Sequence, residues 1–260
     1  MKKCKFLAVI FCIGFVFLFN SCRSCSVIPV KGDGVLTVSE KSVTAFDSIR
    51  ISGNPVVNFH AREEYRVVVT TDSNLAEYAE VFTKNRVLHI GLKKHGFYSF
   101  TNFTVDVYCP GISEVAISGS ARFEGKDTIV TSKFKTIISG SGKVEGNFEC
   151  SDFSADISGS GDISGNIKCN RLKIDISGSG KMAVKGNSSD VRIVISGSGD
   201  FNGSEFMANS VDARISGSGK VHVWAAENLK ARVSGSGLIR YRGTPKIDFK
   251  NSGSGRIVSE

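Results

Sequence analysis

The chain has 260 residues, 41% of them hydrophobic, with 28 glycines and a formal net charge of +8. That is long and apolar enough for a sizeable packed core, and it excludes a disordered acidic or basic tail. The charge is spread along the chain, with no long Lys/Arg block of the kind that marks a nucleic-acid binder.

The first residues predict a secretory leader over 1–21. Lys2, Lys3 and Lys5 precede an apolar run from Phe6 to Phe19 that is short for a bilayer span. Asn20-Ser21-Cys22 then resembles the lipobox of bacterial lipoproteins. Cys22 is therefore the expected lipid-bearing residue, and the membrane an expected partner through that anchor. Cys25 is a poorer site, because Arg23 and Ser24 precede it. Removing 1–21 takes three lysines and no acids, which lowers the charge from +8 to +5. Residues 22–45 read as a tether, with Pro29, Gly32 and Gly34 and little periodicity.

Residues 46–114 predict a β entry segment. Ile49-Arg50-Ile51 alternates, Val67-Val68-Val69 and Val87-Leu88-His89-Ile90 are β-rich, and Phe103 to Val107 alternates cleanly. Between them Leu75, Tyr78, Ala79 and Phe82 recur at helical spacing. One short helix is expected there, capped by Ser73 or Asn74. Ile51-Ser52-Gly53-Asn54 reads as a degenerate early copy of the series that follows.

From residue 115 to 260 the chain repeats itself. Copies of a strand-like run closing on Ser-Gly-Ser-Gly or a variant align at Ile117, Ile138, Ile157, Ile176, Ile195, Ile215, Val233 and Asn251, at intervals of 18 to 21 residues. Residues four and two before the aligned position are mostly apolar, with Ser113 and Thr136 as exceptions. The residue six after it is apolar in every copy, from Phe123 to Ile257. Two strands per copy, each with one inward face and joined at a glycine corner, predict an all-β, right-handed parallel β-solenoid with coils of about 19 residues stacked about 4.8 Å apart. Nearly fixed spacing between patterned strands argues against reading Ser-Gly-Ser-Gly as a flexible linker.

Five residues after the aligned position, Lys143, Asp162, Lys181, Asp200 and Lys220 alternate in sign. Stacking explains this, since like charges directly over one another repel. Cys150 and Cys169 fall at equivalent positions in successive copies, a column expected also to hold Ile129, Ser188 and Met207. They are either two stacked free thiols or a disulfide pair.

Little in the chain carries chemistry. Gly140-Ser141-Gly142-Lys143 lacks both the first glycine and the Ser/Thr of a phosphate-binding loop. The lysines of the alternating column argue against calcium. His60, His89, His95 and His222 have no metal-ligand spacing, so neither metal nor cofactor is expected. Trp224 and Tyr241 are single aromatics that fit a binding face or simple packing. The one enzymatic arrangement is Asp156 over Asp175 on an outward face, the close carboxylate pair of a retaining glycosidase. Lys173 on the same face, and the want of an aromatic platform on the neighbouring outward columns, favour a surface charge cluster.

The lipoprotein-like start, the entry Phe46-Asp47-Ser48-Ile49-Arg50-Ile51-Ser52-Gly53-Asn54, the helix-like segment after Asn74 and the Ile-Ser-Gly-Ser-Gly series together resemble the putative autotransporter adhesin head GIN-domain family, common in Bacteroidetes. The resemblance covers Phe46 to the C-terminus. It implies a β-helical fold, an envelope location and no catalytic residues to carry over. In that setting Asp47-Ser48-Ile49 and Asp127-Thr128-Ile129 look like O-glycosylation triplets. The expectation is a non-enzymatic outer-membrane lipoprotein acting as an adhesin, binding or structural module, its periplasmic or surface orientation open. Its partners would be a glycan or protein, with no nucleic acid. The alternative is a carbohydrate-active enzyme using the Asp156/Asp175 face. Nothing after Gly255 reads as a cap, so end-to-end self-association is also expected.

Overall fold

A computed structural model describes residues 29–93 and 97–260. The expected leader, Cys22 with its expected lipidation, Cys25 and His95 lie outside the described residues. No helix among the described residues is long and apolar enough to cross a membrane.

The repeat region is a β-solenoid of about 8 turns with coils of about 19 residues. Each coil carries two strand segments in parallel register with the coils on either side. In one coil, Lys143–Glu149 pairs with Asp162–Lys168, and Asp152–Gly159 pairs with Arg171–Gly178. The aligned isoleucines stack inside, Ile138 on Ile157 on Ile176, each at most 1% exposed. Phe134, Phe148 and Phe153 fill the early coils with ring centroids 4.7 to 5.4 Å apart.

The corner between segments continues the backbone ladder. Ser160 N donates to Gly140 O at 2.9 Å and Asp162 N to Gly142 O at 3.0 Å, and later corners repeat both bonds as far as Ser236 and Leu238. Gly161 must be glycine because a Cβ there would stand 2.5 Å from Ile138 Cγ2 in the coil beneath. The corner serines stack in exposed rows, but among the described residues no hydrogen bond joins their hydroxyls to one another. The backbone, not the serine side chain, holds the corners in register.

The early copy is the first coil. Ser48–Gly53 pairs with Glu114–Gly119, matching Ile51 to Ile117 and Gly53 to Gly119. Its other edge pairs with Val87–Ile90. Beyond this coil the pairing turns antiparallel: Arg66–Asp72 lies against Phe103–Cys109, and Leu36–Lys41 against Arg66–Asp72. Leu36–Lys41 falls within the stretch that reads as tether. It is a strand because Arg66–Asp72 offers it an open edge, a partner no local pattern reveals.

The helix is shorter than its spacing suggests. Ser73–Tyr78 is one 3-10 turn, and Ala79–Lys84 leaves it as a strand of a hairpin with Val87–Leu92. Asn85 and Arg86, at φ 52° and 60°, make the two-residue turn between them, the conformation hairpins favour. Neither Ser73 nor Asn74 caps the turn. Ser73 Oγ donates to Asp33 Oδ2 at 2.6 Å and Asn74 Nδ2 to Lys31 O at 2.8 Å, so both tie down the chain that precedes the sheet.

Cys150 and Cys169 are free thiols. Burial pushes the Cys150 thiol up to about 12, and Cys169 is also raised, chiefly by burial. Their column differs from the expected one. Thr131 stacks on Cys150, Ile129 on Phe148 and Met207 on Asn187, because the longer coil that starts at Ile117 and the bulge at Gly203 each shift the register.

Candidate binding face

The strand segment that ends at each glycine corner turns alternate side chains outward. Pairing registers join the residues just before the aligned isoleucines into a single row. It runs from Ala116 through Ile137 and Asp156 to Asp175, then through Val194, Arg214 and Arg232 to Lys250. Toward the N-terminus it continues from Ala116 to Arg50, then to His89, and across the hairpin to Phe82. At about 4.8 Å per strand the row is on the order of 50 Å long.

One end of the row is aromatic. The Phe82 and His89 rings stack with centroids 4.8 Å apart and planes 6° from parallel, and Phe82 remains 39% exposed. Arg50, Glu80, Ser52, Ser118 and Ser139 surround the pair and help line a groove of about 490 Å³. This aromatic pair is not on the columns neighbouring Asp156 and Asp175; it stands at the far end of their own row, beyond Ile137, Ala116 and Arg50. Reading Phe82 at helical spacing hid it. The alternation Glu80-Val81-Phe82-Thr83-Lys84 before a two-residue turn was the signal that could have found it.

The middle of the row is a set of ion pairs. Asp156 and Asp175 are direct register partners. Lys135 Nζ lies 3.3 Å from Asp156 and Lys173 Nζ 2.8 Å from Asp175. Hydrogen bonding to Asp175 raises the Lys173 ammonium above its ordinary value, and the Asp156 charge adds to it. Each carboxylate thus has its own lysine.

The other end is basic. Arg214, Arg232 and Lys250 line a groove of about 360 Å³ with the corner serines Ser216, Ser234 and Ser252. Arg214 pairs with Asp212 at 2.9 Å, and Arg232 with Asp248 at 2.5 Å. The Arg232 guanidinium holds the Asp248 carboxyl below the usual carboxylate range.

The remaining sequence-singled residues lie elsewhere. Lys143, Asp162, Lys181, Asp200 and Lys220 are successive register partners on the other strand segment. Among the described residues no ion pair joins two of them; Lys143 Nζ instead reaches Glu145 on its own strand at 3.2 Å. His60 stacks on Tyr108 and lies 3.6 Å from Asp106, and His222 lies 3.1 Å from Glu260. The Arg242 guanidinium sits 4.7 Å from the Trp224 ring centroid, so this aromatic is covered by its own chain. The described residues contain no cluster able to hold a metal ion.

Known proteins share this architecture. A putative adhesin from Parabacteroides distasonis is 28% identical, with a TM-score of 0.86 over 89% of this chain and 99% of its own. A putative adhesin from Parabacteroides merdae is 25% identical, with a TM-score of 0.82 over 89% of this chain and 98% of its own. A putative lipid binding protein from P. distasonis is 24% identical, with a TM-score of 0.84 over 89% and 99%, and shows the shared fold alone. No curated relative matches the chain. Two overlapping stretches, residues 45–166 and 144–245, match the family described as putative auto-transporter adhesin, head GIN domain. They run from the first coil almost to the last, and the chain belongs to that family.

Proposed function

We propose that this protein is a non-enzymatic adhesin of the cell envelope, lipid-anchored through Cys22, that holds an extended glycan along the row from Phe82 to Lys250. The observation that carries this reading is the alignment of the exposed Phe82/His89 stack, in one register, with a long outward row that is charged at Arg50, Asp156, Asp175, Arg214, Arg232 and Lys250. An aromatic face packs against the apolar side of a sugar ring, and evenly spaced hydroxyls, carboxylates and cations can then meet a chain of rings. Arg214, Arg232 and Lys250 at the other end favour a polymer that carries carboxylate or sulfate groups. The lysine beside each of Asp156 and Asp175 supports binding over hydrolysis.

The test is calorimetric titration of the protein with neutral and acidic polysaccharides, with reducing-end release followed in the same samples. Saturable binding without turnover is expected, weakened about tenfold or more by Phe82→Ala. Binding unchanged by that substitution, or release of reducing ends, would overturn the reading. For the anchor, fatty-acid labelling of cells should mark the protein and disappear in Cys22→Ala. Labelling that persists in the variant would remove Cys22 as the site.

A further inference from the structure

The two ends of the solenoid differ. Phe103–Cys109 covers Val56–Ala61 of the first coil in parallel, and Arg66–Asp72 and Leu36–Lys41 continue beyond it antiparallel. At the last coil, Lys246–Gly253 pairs on one edge with Asn228–Gly235, and among the described residues nothing pairs with its other edge. The apolar side chains of that coil are correspondingly uncovered: Ile247 is 40% and Val258 42% exposed, and Phe249 is only partly buried.

The corner of the last coil is nevertheless closed. In the coils below, Gly217 O accepts a hydrogen bond from Ser236 N and Gly237 O from Arg256 N. In the last coil, Asn251 Nδ2 donates to the matching Gly253 O at 3.1 Å and Gly255 O at 2.7 Å. Asn251 stands where earlier coils carry Ile or Val, and its side chain meets the two carbonyls that backbone N–H groups of the following coil meet elsewhere. The corner carbonyls are bonded from within the coil by a residue that precedes Gly255, while the edges of Lys246–Gly253 and Arg256–Ser259 remain open among the described residues.

We infer that two copies of this chain pair through Lys246–Gly253, antiparallel and about a two-fold axis at Phe249. An identical edge can close on itself only with the strands antiparallel, which gives a self-complementary interface. Inward residues must meet inward residues, which leaves few registers. Centring on Asp248 sets Asp248 against its copy and Lys246 against Lys250. Centring on Lys250 sets Lys250 against its copy. Centring on Ile247 opposes Lys246 to Asp248 but shortens the pairing at Pro245. Centring on Phe249 pairs the full strand, places Asp248 opposite the second copy's Lys250 at both symmetry-related positions, and brings the two half-covered phenylalanines together. Asp248 then lies between Arg232 of its own chain and Lys250 of the other. Asn251 falls opposite the second copy's Ile247, the glycine corner after Gly253 stays outside the pairing, and closure about the axis stops growth at two. The basic ends of the two outward rows meet at the axis, making one bivalent track.

The test is sedimentation velocity over a concentration series, with thermal unfolding as a control for folding. The parent chain should show a concentration-dependent monomer–dimer equilibrium. Lys250→Asp alone and Asp248→Lys alone should each weaken dimerisation about tenfold or more, since like charges then oppose each other. An equimolar mixture of the two folded variants should dimerise again, because each copy then supplies the charge the other lacks. A parent chain that is monomeric at all concentrations, that grows beyond a dimer, or whose dimer is unaffected by Lys250→Asp would overturn the inference. A mixture that stays monomeric would overturn the register centred on Phe249.

Discussion

The carbonyl oxygen of Gly140 stands 2.6 Å from the point at which Gly159 would carry a Cβ. The two glycines are register partners in successive coils, and Gly159 has φ +117°. Any side chain at this corner would press on the backbone of the coil beneath while holding a conformation that L-residues resist. Gly159→Ala should therefore destabilise the protein by about 2 kcal/mol or more. Gly34, at φ +76° and with nothing within 4 Å of the point where a Cβ would stand, is the control. Gly34→Ala should cost only its backbone conformation, about 1–2 kcal/mol. Urea unfolding checks both, and equal losses would mean that coil contact adds nothing.

Thr136 lies in the core at 0% exposure, and its Oγ1 has no hydrogen-bond partner. It stacks between Val115 and Ala155, whose positions ask for an apolar side chain. Thr136→Val keeps the shape and removes the unpaired hydroxyl, so stability should rise by about 1 kcal/mol. A lower urea midpoint would show that the hydroxyl is satisfied after all.

Asp72 is buried and accepts hydrogen bonds from the Thr101 hydroxyl, from Thr101 N at 2.8 Å and from Gly34 N at 3.1 Å. The Thr101 hydroxyl is the main cause holding this carboxyl below its ordinary value. A depressed carboxyl contributes stability that is present above its unfolded value and is lost as pH falls through its folded value. Asp72→Asn should thus lower the melting temperature at about pH 7 and make little difference at about pH 2. A melting difference that stays constant between those conditions would mean the charge is not what matters.

If the alternating column works electrostatically, Asp162→Lys sets three lysines in a row, since its register partners are Lys143 and Lys181. These side chains face solvent, so the loss should be a few tenths to about 1 kcal/mol, shrinking as salt is added. A loss insensitive to salt would assign the effect to packing. The alternation would then record register without contributing to it.

The solenoid was legible because its copies constrain one another. A position apolar in every copy, such as the column from Phe123 to Ile257, has to face inward once the copies stack, and two glycines at every corner from Gly140 onward mark where the chain turns. Even Ile51-Ser52-Gly53 could be placed, since it matches the series and pairs with Ile117-Ser118-Gly119. Segments without copies carry no such constraint. Leu36–Lys41 is a strand only because Arg66–Asp72 has an edge to share, and Phe82 faces outward only because Asn85-Arg86 folds its strand back onto His89. Asn251 fits the repeat merely as an outlier until the folded corner brings the Gly253 and Gly255 carbonyls within reach of its side chain. Periodicity in the sequence therefore determined the coil, its inward columns and its corners, because stacking identical units admits one register. Tertiary structure alone decided how the ends are closed and which side chains share the outward row, because those depend on pairing between stretches that resemble neither each other nor the repeat.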